Sequence, residues 1–213
     1  GDNLQFKETN ICLNENIFSN ASVGTLLNID KSKFNIYKEN IYTPTEKYLQ
    51  ATKVDVEKRI VYEFDGQKAS TTYAKALGIK ESELKDAFFN NPLGLKMGKD
   101  IIIRSAHTLY PDGSIGFYSQ IEYGSILGIL ESDNTKEIFQ NTINQIQNDF
   151  KRVDAVFIVN CILRKIKFET ENLGDIFCQN FKVLTPNITG FCSYGEQIGN
   201  KEFGWLHINQ TAT

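Results

Sequence analysis

The chain has 213 residues, 26 acidic side chains against 23 basic ones, a formal charge of −3 and 41% hydrophobic residues. This length allows one large domain or two small ones, with enough apolar residues for a proper core. The charge leaves no basic footprint, and no lysine or arginine stripe interleaves with aromatics, so nucleic acid is not an expected partner; no apolar run approaches the ~20 residues of a membrane helix.

Four cysteines (Cys12, Cys161, Cys178, Cys192) are scattered without a Cys-x-x-Cys pair, and the two histidines, His107 and His207, lie far apart in sequence. Zinc and disulfide readings both fail on this spacing, and isolated thiols suit a reducing cytosol. No cofactor is expected. Neither Gly-x-Gly-x-x-Gly nor a Walker-type phosphate loop occurs.

Strands come first along the chain. Ile11 to Leu13, Val23 to Ile29, Tyr48 to Val56 and Ile60 to Phe64 are short, β-prone and separated by polar turns. The Val23-Gly24-Thr25-Leu26-Leu27 run is apolar enough to predict burial on both faces. Two helices are predicted next, Ala69 to Leu77, stopped by Gly78, and Ser82 to Phe89, stopped by Asn91-Pro92. Strands are then predicted at Asp100 to Leu109, Ser114 to Phe117 and Ser125 to Glu131, the first two joined by a Pro-Asp-Gly turn.

The clearest helix runs from about Thr135 to Phe150, with Phe139, Ile143, Ile146 and Phe150 on one stripe and Asn134 and Glu137 placed for a capping box. Asp154 to Asn160 reads as a central buried strand that feeds a helix starting near Cys161. Another helical pattern ends at Thr185-Pro186. No linker rich in proline, glycine or serine interrupts the chain. A weak echo relates Gly1-Asp2-Asn3-Leu4 to Gly195-Glu196-Gln197-Ile198, and an internally duplicated architecture or chance would each explain it.

Two constellations carry chemistry. Cys161 ends a buried strand at a helix start, where unpaired N–H groups form an anion site and lower a thiol pKa; Arg164, one turn on, could fork onto a carboxylate. The alternative is a small buried cysteine beside a surface arginine. Arg104 follows Ile101-Ile102-Ile103 within a strand and either faces water or points into a site. The second constellation is the Gly195-Glu196-Gln197-Ile198-Gly199 loop after Cys192-Ser193-Tyr194. Here Glu196 could meet a ligand ammonium and Tyr194 could supply a wall, unless the segment is only a structural turn. Phe203, Trp205, His207 and Asn209 then share one strand face, with Leu206 and Ile208 on the other. The lone histidine is read as structural.

These carboxy-terminal residues resemble the signature of the FIST family, a predicted intracellular ligand-sensing domain of bacterial signalling proteins that also occurs in eukaryotic F-box proteins. Val61-Tyr62-Glu63-Phe64-Asp65-Gly66, Ile103-Arg104-Ser105, Pro111-Asp112-Gly113-Ser114, Glu122-Tyr123-Gly124 and Asn160-Cys161 with Arg164 fall in the family's order. Gly1-Asp2-Asn3-Leu4-Gln5-Phe6 resembles the end of the glycine-rich block that closes the amino-terminal part, and the family pattern continues upstream of it. The resemblance implies residues 1–58 as a remnant of that part and 59–213 as the carboxy-terminal domain.

The expected fold is α+β, with mixed, largely antiparallel sheets covered by helices. The expected function is a cytoplasmic sensory input domain without enzymatic activity, binding a small metabolite such as an amino acid and passing its state to an attached output domain. A protein-recruitment module and a Cys161-dependent enzyme are the alternatives. The expected ligand-binding set is Arg104, Cys161, Arg164, Tyr194, Gly195 and Glu196, with no metal and no membrane contact.

Overall fold

The structure is a computed structural model that describes residues 8–98, 100–200 and 204–213. The expected Gly1 to Phe6 block lies outside the described residues, as do half of the internal echo, Phe203 and the side chain of Trp205. The chain divides into two units, Gly1–Asn35 and Ile36–Thr213.

In the first unit, β1 (Asn10–Leu13) and β2 (Asn16–Ser19) form an antiparallel hairpin with Asn10 opposite Ser19. A short 3-10 turn, Lys31–Lys33, is capped by Asp30, which accepts from Ser32 N at 2.8 Å. The expected strand from Val23 to Ile29 is not formed, and Val23, Leu26, Leu27 and Ile29 are all exposed. An apolar run specifies a strand only where a ladder partner and a packing face meet it.

The second unit is built on three sheets. Its strands in chain order are β3 (Glu39–Asn40), β4 (Tyr42–Asp55), β5 (Ile60–Phe64), β6 (Gln67–Lys68), β7 (Leu93–Met97), β8 (Asp100–Arg104), β9 (Ala106–Leu109), β10 (Ile115–Phe117), β11 (Ile126–Ser132), β12 (Val156–Cys161), β13 (Ile188–Ser193), β14 (Glu196–Asn200), β15 (Gly204–Ile208) and β16 (Thr211–Ala212). The helices are α1 (Ala69–Leu77), α2 (Leu84–Asn90), α3 (Thr135–Asp149), α4 (Ile162–Thr170) and α5 (Gly174–Lys182).

The largest sheet has eight strands in the order β8-β7-β11-β4-β5-β10-β9, with β6 added to β5. Its two ends, β8 and β9, are separated in the chain by Ser105 alone, so the sheet curls until it is nearly closed. The single strand expected over Asp100 to Leu109 is therefore two strands, broken at the residue where the chain turns from one sheet edge to the other. Phe64, Tyr73, Leu84, Phe117 and Leu127 fill the interior under α1 and α2. Gly78 ends α1 with φ +76°, as its position demands.

β7 was not legible as a strand. Gly94 at its second position lies against Ile101 and Leu130, where an added Cβ would come within 2.7 Å of Ile101 Cγ2. The glycine weakens the sequence signal while permitting the close packing.

The second sheet runs β13-β12-β16-β3, with β12 and β13 parallel and the other pairs antiparallel. β12 is central, as expected, but Phe157 on it is 61% exposed. α3, α4 and α5 cover the other face through Phe139, Phe168, Phe177 and Phe181, whose neighbouring rings lie 5.0–5.3 Å apart. Asn134 caps α3 by accepting from Glu137 N at 3.4 Å, while the reciprocal half of the expected capping box is replaced by Asp133 accepting from Asn134 N.

The Gly195 to Gly199 segment is not a free loop. From Glu196 on it is β14, paired with β15 so that Glu196 faces Ile208. Leu206 and Ile208 pack on Ile102 of β8, as their alternation requires. The whole is α+β, with mixed and largely antiparallel sheets covered by helices.

Phe139 has no exposed surface, whereas Leu26 is 98% exposed. Phe139→Ala should cost about 3–5 kcal/mol in urea unfolding, and Leu26→Ala should stay within about 0.5 kcal/mol of the parent.

Candidate functional site

The carboxyl ends of β12 and β13 lie side by side, with Cys161 opposite Ser193. Parallel strands deliver their following turns to one crevice, which is where open sheets hold ligands. From here β12 passes into α4, and β13 passes through Tyr194 and Gly195 into β14.

Glu196 is 3% exposed. Ser193 Oγ donates to its Oε1 at 3.0 Å and Thr211 Oγ1 to its Oε2 at 2.8 Å. Both donors are neutral, and Glu196 makes no ion pair among the described residues. Burial pushes its carboxyl up to about 7, and the two hydroxyl bonds and the charge of Arg164 offset this only in part.

Arg164 is fully buried. Its Nη2 pairs with Glu39 Oε1 on β3, and its Nη1 donates to Asn160 Oδ1 at 3.3 Å. Its guanidinium lies 4.7 Å from the Phe168 ring centre, 5.1 Å from Phe177 and 5.8 Å from Phe139. Burial pulls its pKa down to about 9, offset only in part by the charge of Glu196, and the guanidinium is paired with the Glu39 carboxylate. The arginine expected on a surface or in a ligand grip is thus committed within the protein.

Cys161 is also fully buried. Its thiol was expected to be lowered by the start of α4. Burial instead pushes it up, helped by the nearby Glu196, and the backbone N–H groups of Gln210, Leu163 and Arg164 only partly counter this. The first N–H groups of α4 thus face the sulfur.

Gly195 has φ +129°, and a Cβ there would come within 2.7 Å of the His207 ring and 2.9 Å of Asn209 Nδ2. Only glycine lets this turn press so closely on them. Asn209 in turn lies 3.2 Å from His207 Nε2 and accepts from Ser119 Oγ at 2.9 Å. Tyr194, in the same turn, is 42% exposed.

Arg104 ends β8 and reaches this cluster from the large sheet. Its Nη1 donates to His207 O at 3.2 Å, one residue from Ile208, the partner of Glu196 across the hairpin. It is half-buried, lines a cavity of about 170 Å³ with Gln120, Glu122 and Ser125, and its Nε takes no partner. Burial lowers its pKa from the ordinary arginine value.

One pattern links these groups. Among the described residues, the buried side-chain polar atoms without a hydrogen-bond partner belong to Glu39, Arg104, Ser105, Arg164 and Gln210. Glu39 pairs in register with Ala212, Arg104 bonds His207, Arg164 bonds Asn160 opposite Ala212, and Gln210 belongs to the same segment. Unsatisfied polar atoms concentrate around residues 207–212, where each needs an explanation. A metal is not suggested, since no three His, Cys, Asp or Glu side chains gather among the described residues.

Comparison with protein families matches the FIST N domain to residues 1–67 and the FIST C domain to residues 69–199. The chain belongs to the FIST family. FIST domains are sensory domains of signal-transduction proteins. Comparison with curated proteins and with solved structures returned no match.

In this FIST chain the Glu39–Arg164 pair joins the segment matched by the N domain to that matched by the C domain. His207, Asn209, Gln210 and Thr211 lie beyond the C-domain match, yet they complete the surroundings of Gly195 and Glu196. Sequence reading missed Glu39, Ser119 and Thr211. Each sits in an ordinary polar stretch, and only tertiary structure aims it inward.

Two outcomes are expected. An acid whose folded pKa is raised contributes stability that is present below its unfolded value, 4.5, and lost as pH rises through about 7. Wild-type protein should therefore lose roughly 1–3 kcal/mol more than Glu196→Gln between these limits, measured by urea unfolding across pH. Arg164→Met should leave Glu39 unpaired and cost about 3–5 kcal/mol at neutral pH, seen in the same assay.

Proposed function

We propose that this chain is the ligand-binding input part of a cytoplasmic signalling protein and that its ligand is a small zwitterionic metabolite, a free amino acid. The observation that carries the reading is the gathering of unpartnered buried polar atoms beside Glu196, a carboxylate whose side-chain donors among the described residues are both neutral. A ligand ammonium would supply the missing cation, favour the charged carboxylate and lower its pKa. The ligand carboxylate would be met by Arg104, whose guanidinium has no carboxylate partner among the described residues and borders the 170 Å³ cavity. Cys161 and Arg164 would act behind this contact, as the packing that fixes Glu196.

The signalling step follows from placement. Glu196 opens β14, and Arg104 touches β15, so a ligand bridging them would bias the hairpin against the large sheet and shift the population read by an attached output domain. No covalent chemistry is needed, and the raised Cys161 thiol is a poor nucleophile. Free thiols at Cys12, Cys161, Cys178 and Cys192 support a reducing compartment, and no helix of the described residues is long and apolar enough to cross a membrane.

A second reading has one observation behind it. Phe157 and Phe191 are 61% and 56% exposed, 5.9 Å apart, on adjacent strands β12 and β13 of the second sheet, which suits a recruitment surface.

A thermal-shift screen against the free amino acids tests the proposal. A binder at 100 times its dissociation constant should stabilise the protein by about 2.7 kcal/mol, and Glu196→Gln or Arg104→Gln should remove most of the shift. No stabilising amino acid, or chemical conversion of the bound one in mass spectrometry, would overturn it.

A further inference from the structure

The chain contains four arginines and two histidines. Two of the arginines are neutralised, Arg152 by Asp154 at 2.7 Å and Arg164 by Glu39. The other two, Arg59 and Arg104, have no carboxylate partner among the described residues. Both are instead fastened by a main-chain carbonyl at the same rim of the large sheet.

Arg59 precedes β5, adopts φ +59° and donates from Nη1 to Tyr118 O at 3.0 Å, while its own carbonyl accepts from Phe117 N at 2.9 Å. Tyr118 N in turn donates to Ser105 O at 3.0 Å, next to Arg104. The residues following β10 therefore hold Arg59 on one side and the Arg104–Ser105 corner on the other. His107 on β9 lies with its ring 4.8 Å from that of Tyr118. His207 lies on Arg104 through its carbonyl. Both histidines and both unpaired arginines thus converge around Tyr118.

The electrostatics agree with this convergence. His207 is held below the ordinary histidine pKa by burial first, then by Arg104 and Arg59; His107 is held down by burial and by Arg59. Arg59 repels protons from both imidazoles and Arg104 from that of His207, so these groups form a positive concentration without a paired carboxylate among the described residues. In a protein of net charge −3, grouping unpaired cations in this way costs stability unless an anion meets them.

We propose that this rim is an oxyanion site, in which Arg59 and Arg104 grip a doubly negative group, a phosphoryl group or a dicarboxylate, with His107 and His207 flanking it as further donors. Planar guanidinium forks suit the paired oxygens of either group. Glu122 also lines the cavity beside Arg104. The site shares Arg104 with the amino-acid reading but does not require Glu196.

Two histidines give a clean readout. Imidazole resonances should be followed by NMR while inorganic phosphate, malonate or acetate is added at fixed neutral pH and ionic strength. Phosphate or malonate should shift both histidines saturably and raise their pKa values, and acetate should bind at least about tenfold more weakly because it carries one charge. Arg59→Gln, at an exposed position, and Arg104→Gln should each weaken binding by about tenfold or more, while Arg152→Gln should leave it unchanged. Phosphate binding without malonate would assign a phosphoryl group, and the reverse a dicarboxylate. No saturable shift with either dianion, or binding indifferent to Arg59→Gln, would overturn the proposal. Anion binding that survives Glu196→Gln while no amino acid binds would leave this site standing and remove only the amino-acid reading.

Discussion

A guanidinium enclosed by three phenyl rings keeps its charge only if a carboxylate meets it, and in this protein Glu39 does so from β3. The pair joins β3 to α4, and through the rings it joins both to α3 and α5. Lys167, one turn further along α4, is also buried and donates to Glu171 at 2.6 Å and to Asn90 at the end of α2. α4 therefore presents two buried cations, each bound by a partner distant in sequence or fixed by its own helix. Such contacts add little net stability over apolar packing, but they penalise any other arrangement heavily.

This commitment shapes the neighbouring site. With Arg164 bound to Glu39, the nearby Glu196 makes no ion pair among the described residues and accepts from the hydroxyls of Ser193 and Thr211. The result is a buried carboxyl poised near neutrality, which responds to any cation that reaches it. The same segment that supplies Thr211 supplies Asn209 and Gln210, and Gly195 presses on His207 from the other side. Arg104 connects this assembly to the large sheet through one hydrogen bond to a strand of the β14–β15 hairpin. The hairpin packs on that sheet through Leu206 and Ile208 against Ile102, a small apolar contact suited to movement.

Much of this was legible in the residues, and the failures have physical causes. Periodicity located α1, α3 and β5 because each buries a regular stripe or alternation. The resemblance located Cys161, Arg164, Gly195 and Glu196, which the fold gathers at the ends of β12 and β13. What the sequence could not reveal was pairing over long separations. Glu39 lies 125 residues from Arg164, and no local pattern marks it. The same limit explains the sign of the Cys161 shift, since a helix start lowers a thiol only where burial does not outweigh it. Val23 to Ile29 shows the converse, an apolar run that local pattern alone made into a strand.

Glu196 is a buried carboxyl that forms no ion pair among the described residues, and the reading of the site depends on it. Its titration can be followed directly through the side-chain carboxyl carbon by 13C NMR, assigned by comparison with Glu196→Gln. The account predicts a midpoint at about 7, moving higher when Arg164 is replaced by methionine in protein that remains folded. A midpoint at the ordinary glutamate value of 4.5, unmoved by that replacement, would contradict it.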